Sequence, residues 1–165
     1  MKRVGLIVTA IVGVTVVALG FSTNARAAGS AKDQITEIEN KVLAATTADE
    51  VMKYVDQNED FYDFVPPLHY KGATAVHGDL DNFFNNAKDV NAKFVDLNVV
   101  TDGKLAIAYS LQHFTWKDKD GKAQEGTFRV TDAYHKVGGQ WKMFHAHVSV
   151  PVDPKTGQAQ MNLNS

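Results

Sequence analysis

The sequence predicts one α+β domain with its helices first and an antiparallel sheet after them. Helical periodicity fills the first half of the chain, and strand-like runs broken by turn residues fill the second. The third observation is length: 165 residues, less a leader at the start, suit one domain. The leader reads Met1, Lys2, Arg3, then an apolar run from Val4 to Gly20, then an A-x-A site at Ala25 to Ala27. A basic segment, a short apolar segment and a small-residue site are the parts of a secretory signal peptide. The competing reading is an uncleaved membrane anchor, but the run falls short of the ~20 residues that a spanning helix needs. The expected division is a signal peptide at 1–27, a pocket domain at 28–152 and a flexible tail at 153–165. The expected location is outside the cytoplasm of a bacterium, periplasmic or extracellular.

Ile35, Ile38 and Val42 recur at helical spacing, which predicts an amphipathic helix from Ala31 to Ala45. Thr47 followed by Glu50 has the capping-box pattern, and Val51, Met52 and Val55 continue it as a second short helix. Phe61 to Val65 is expected as a short aromatic strand stopped by Pro66 and Pro67, which have no N–H to donate. A third helix is expected from Ala73 to Asn86 with Val76, Leu80, Phe83 and Phe84 inward, in spite of Gly78. Strands are expected over Lys93 to Val100, Lys104 to Lys117, Gln124 to Val137 and Gln140 to Val150, rich in Val, Phe, Tyr, Thr and Trp. Their separators, Asp102-Gly103, Asp118 to Gly121 and Gly138-Gly139, are turn chemistry.

Composition narrows the function. A 44% apolar content with 22% charged residues is that of a globular core, and a formal charge of -2 gives no electrostatic reason to expect nucleic acid. Cysteine is absent, which excludes disulfides, thiolate nucleophiles and thiolate metal sites. Both faces of the strand at Lys104 to Lys117 carry large side chains. Leu105, Ile107, Tyr109 and Leu111 lie on one face; Ser110, Gln112, Phe114 and Trp116 lie on the other. One face serves helices and pocket. The other needs a cover, and a second copy of the chain is the expected one: a homodimer through the outer sheet face, using residues such as Arg129, Thr131, Tyr109 and His147. No membrane partner is expected once the leader is removed.

The run RVTDAY (129–134) followed by GGQWKMFHAHVSVP (138–151) resembles the closing hairpin of SnoaL-like domains. The calcium/calmodulin-dependent protein kinase II hub domain has a similar run and is a more distant relative. YDFVPPLHYKG (62–72) resembles the segment of ketosteroid isomerases that carries their base. The resemblance spans roughly Lys32 to Val152. It implies the cone-shaped nuclear transport factor 2-like fold, with helices packed on a curved antiparallel sheet that encloses a pocket. It also places Asp63 at the proton-shuttling position and Asp132 at that of a second, pocket-facing acid. The family's oxyanion-hole tyrosine should fall at Asn40 to Val42, where this chain has none.

Strand parity puts Asp132 on one face with Phe128, Val130 and Tyr134. A carboxylate there needs a partner or a raised pKa, so it serves as a structural hydrogen-bonding group or as a ligand contact and acid. Asp63 has the alternative task of organising the Pro66-Pro67 turn. Tyr54, Ser110, Gln112, Phe114, Tyr134, Phe144 and Val148 are the expected ligand contacts, a few polar groups among apolar ones. His145 and His147 have chelating spacing, with His113 on a neighbouring strand as a candidate third ligand. The resemblance assigns the pocket to the other face, so a structural or interface role is expected for the pair, and no metal. The resulting expectation is a domain that binds a small, mainly apolar organic molecule without a cofactor. Its alternatives are an acid-base isomerase, cyclase or dehydratase working through a pocket aspartate, and a non-catalytic dimerisation or assembly module.

Overall fold

The computed structural model describes residues 29–163, and the expected leader at 1–27 lies outside them. Helix α1 (Ala31–Leu43) starts at a full capping box: Ser30 Oγ accepts from Asp33 N, and Asp33 Oδ2 accepts from Ser30 N. Helix α2 (Ala48–Met52) is capped by Thr47, whose side chain accepts from Glu50 N. The Glu50 carboxylate reaches one residue farther back, to Thr46 N at 2.8 Å.

That helix is shorter than its apolar pattern suggested, and Val55 belongs to the next strand. Tyr54 N closes the helix on Val51 O, while Tyr54 O accepts from Met143 N at 2.7 Å. The backbone is thus already tied to the far end of the chain. Strand β1 (Val55–Tyr62) follows directly, in place of the expected strand at Phe61 to Val65. A two-residue β2 (Tyr70–Lys71) leads to α3 (Ala73–Asn86), which has the expected bounds. Its entry residue Gly72 has φ +78°, a conformation glycine takes without a Cβ penalty.

Strands β3 (Lys88–Thr101), β4 (Leu105–Lys117), β5 (Ala123–Val137) and β6 (Gln140–Ser149) form an antiparallel meander. β3 begins at Lys88 rather than Lys93. The sheet order is β2-β1-β6-β5-β4-β3, and β1 runs parallel to β6, so the sheet is mixed rather than wholly antiparallel. Register shifts interrupt β3 twice, between Lys88 and Asn91 and between Phe94 and Asp96. Bulges of this kind raise local twist and bend long strands, and this curved, unclosed sheet wraps over the helices.

The core lies between the inner sheet face and α1 and α3. Ala106 and Ala108 on β4 stand opposite Tyr134 and Asp132 on β5. These small residues leave room for α1, whose Ile35 is fully buried and worth about 1.5–3 kcal/mol. Trp141 Nε1 donates to Gln34 Oε1 at 3.1 Å and fixes the helix against β6. Beyond Pro151, the segment expected as a tail has one bridge, Val152 to Ala159, and Met161 O accepts from Thr127 N at 2.7 Å. Among the described residues, no helix is long and apolar enough to cross a membrane.

Candidate functional site: an apolar cavity with buried carboxyls

A cavity of about 530 Å³ opens between α1, α2 and α3 and the inner face of the sheet. Its walls are apolar: Val42, Val51, Val76, Leu80, Phe83, Phe114, Phe128, Val130, Met143 and Val148 among others. Amphipathic spacing on the helices and period-two alternation on the strands aim these side chains at one volume. Phe114 and Phe128 meet edge to face at 5.7 Å between centroids, and Phe64 leans on Phe128 at 4.9 Å.

Polar groups enter this wall at two depths. At the deep end are Asp132 (5% exposed) and Glu59 (1%), with Glu39 (1%) from α1 behind them. Tyr134 donates its hydroxyl to Glu39 Oε1 at 2.7 Å. The Asp132 and Glu39 carboxyls also share a hydrogen bond. Burial drives Asp132 well above the ordinary aspartate value; negative Glu39 and Glu59 push it the same way, as does the bond to Glu39. Glu39 is raised by burial too, and the hydrogen bonds from Tyr134 and Asp132 partly offset this. Asp132 therefore holds the proton and donates it to Glu39. Burial pushes Glu59 up to about 8, with Asp56 adding to the shift.

Nearer the surface, Asp63 is raised to about 6 by burial, with its bond from Phe64 N opposing and Asp79 reinforcing. Asp79 is raised by burial and accepts from Tyr70, whose hydroxyl is in turn pushed up to about 12 by that bond first and by burial second.

Of the expected site residues, Asp132, Asp63, Gln112, Phe114 and Val148 line the cavity. Ser110 is buried beside it and accepts from Gln112 Nε2 at 3.0 Å. Tyr134 has no exposed surface and is sealed behind Asp132, a support for Glu39 rather than a wall residue. Tyr54 is outside the wall, committed by its backbone to Val51 and Met143.

Phe144 is displaced to the outer face. Ala133 pairs with His145 and Tyr134 with Met143, so one extra residue of β6 is accommodated between them. The bulge flips the parity: Met143 takes the inward place, and Phe144 packs on His135 at 5.0 Å.

His145 Nδ1 lies 2.6 Å from Asp60 O, and Tyr62 meets the rings of both His145 and His147 edge-on. Among the described residues, no group of three or more His, Cys, Asp or Glu side chains is placed to hold a metal ion.

Sequence reasoning passed over Glu39 and Glu59. Glu39 stands four residues after Ile35, on the apolar stripe of α1, and that spacing was its signal. Glu59 stands two residues before Phe61 on β1, a signal hidden once Val55 was assigned to a helix.

The SnoaL-like domain family profile matches residues 36–153. The chain belongs to that family. The fold of this SnoaL-like domain recurs in an NTF2-like protein of unknown function from Pseudomonas putida KT2440 (TM-score 0.74, 24% identity, 82% of this chain and 96% of that one). It recurs in a nuclear transport factor 2-like superfamily protein from Salmonella enterica serovar Typhimurium LT2 (TM-score 0.66, 24% identity, 78% and 96%). A ketosteroid isomerase-like protein from Erwinia carotovora atroseptica SCRI1043 is similar as well (TM-score 0.63, 15% identity, 72% and 94%). At these identities the likeness concerns the fold. No match to this chain was found among the curated proteins.

Proposed function

We propose that this SnoaL-like domain is exported and binds a small, mainly apolar organic molecule in the cavity, with the carboxyls orienting its polar end. The cavity itself carries the reading: about 530 Å³ of apolar wall interrupted by a few acids is the size and character of a small-molecule site. Native mass spectrometry of the mature protein tests it. A small molecule retained at one per chain and released on denaturation is expected. Failure to retain any member of a broad panel of apolar compounds overturns the reading.

One observation favours a second, catalytic reading. Asp63, raised to about 6, is poised to take a proton near neutral pH, while buried Asp132 is held protonated and would donate to a ligand by giving up its bond to Glu39. Such a pair suits an isomerase, cyclase or dehydratase acting with side chains alone. The tyrosine that would complete a ketosteroid-isomerase-like site is absent from Asn40 to Val42, and Tyr134 spends its hydroxyl on Glu39. Binding is therefore the primary reading.

A homodimer through the outer sheet face belongs to the same proposal. Leu105, Ile107 and Tyr109 are about half exposed there, an apolar stripe next to Arg129 and Thr131. The assembly-module alternative needs this face alone and leaves the cavity without a task.

A further inference from the structure

One buried acid in the cavity wall has no hydrogen-bonding task. Glu59 is 1% exposed, and its Oε2 is buried with no hydrogen-bond partner among the described residues. Asp132, by contrast, is engaged with Glu39, and Glu39 with Tyr134. Buried polar atoms are almost always satisfied, and an unpartnered oxygen on a cavity-lining side chain is placed to accept from a ligand.

The charge of the wall identifies that donor's class. Glu59, Asp63, Asp79, Asp118 and Asp132 all line the cavity, while among the described residues Lys119 is the only cation to do so and is exposed, in the loop before β5. Asp132 lies close enough to Glu59 to feel its charge. Asp132 holds its proton for Glu39, so an ammonium at the deep end would pair with Glu59 and keep it ionised against burial in a low-dielectric site. A neutral hydroxyl would gain one bond there, and a carboxylate would be repelled.

We propose that Glu59 is the recognition carboxylate for a protonated amine, and that the cavity selects amphiphilic amines over alcohols and carboxylates with the same apolar body. This rests on the cavity being the ligand site. Glu59, raised to about 8, gives its proton to solvent as the ammonium binds. The amine nitrogen then donates to Glu59 Oε2, and the apolar body lies along Val51, Val130, Met143 and Phe128.

The test titrates the mature protein at pH 7 with 4-phenylbutylamine, 4-phenylbutanol and 4-phenylbutanoate, read by calorimetry. The amine should bind at least tenfold more tightly than the alcohol, with the carboxylate weakest. In Glu59→Gln, which keeps the side-chain shape, the amine-to-alcohol ratio should fall to near one. Equal affinity for amine and alcohol in the unaltered protein, or a preference for the carboxylate, overturns the amine assignment while leaving the cavity reading intact. An unchanged ratio in Glu59→Gln overturns the role of Glu59. Binding of none of the three overturns both the assignment and the cavity reading.

Discussion

At the deep end of the cavity, three carboxyls, Glu39, Glu59 and Asp132, lie near one tyrosine hydroxyl, which donates to Glu39, and burial makes all three hold their protons more tightly. Each has a folded pKa above its unfolded one, so each favours folding fully below the unfolded value and loses that contribution as pH rises through the folded value. For Glu59 the window runs from about 4.5 to about 8. The melting temperature should therefore fall between pH 5 and pH 9, and Glu59→Gln should flatten the upper part of that curve in calorimetry. Asp132→Asn should be near neutral or stabilising at pH 7, because its amide can still donate to Glu39. Carboxyl-carbon NMR should show Asp132 titrating above the ~3.9 of a free aspartate. Tyr134→Phe removes a donor from a buried acceptor and should cost about 1–3 kcal/mol in urea unfolding. Much of this cluster was hidden in the sequence. Asp132 was visible because strand alternation is strict around it, whereas Glu39 and Glu59 looked like ordinary surface charges between apolar residues. The packing of α1 on the sheet turns Glu39 inward, and the early start of β1 at Val55 brings Glu59 into the cavity wall.

Among the elements, α1, α3 and β4 to β6 were legible to within two residues, because turn glycines and amphipathic patterns mark their ends. The misreadings share a cause. Val55 was placed in a helix and Phe144 in the pocket because local period was trusted where a long-range pairing decides. Tyr54 O bonding to Met143 N ends α2, and the β5/β6 bulge turns Phe144 outward. Neither event leaves a local mark. One local mark does support a stability prediction. Gly78 lies inside α3, is exposed, and has nothing within 4 Å of where a Cβ would stand. Gly78→Ala should stabilise the protein by about 1 kcal/mol in urea unfolding, since glycine costs that much in a helix interior. Gly126 is the contrast. A Cβ there would stand 3.0 Å from Met161 Cε and 3.1 Å from Phe128 Cζ, so both side-chain ends must shift and the same substitution should stabilise less than at Gly78.

Among the described residues, apolar side chains gather on a surface folded inward around the cavity and on one displayed on the outer sheet face. If the outer face joins two copies, Tyr109→Asp should convert a dimer to a monomer in light scattering while leaving the fold intact. A monomer of the unaltered protein at micromolar concentration would reject the dimer. N-terminal sequencing of protein from the exporting cell should begin after Ala27, and an intact Met1 would reject cleavage. The account turns most on the claim that the cavity holds the ligand, and methyl NMR during titration with 4-phenylbutylamine tests that directly. The account predicts saturable shifts with intermolecular NOEs to the Met143, Val130 and Val51 methyls and none to Leu105 or Ile107. Contacts confined to Leu105 and Ile107, or no saturable shift at any cavity methyl, would contradict it.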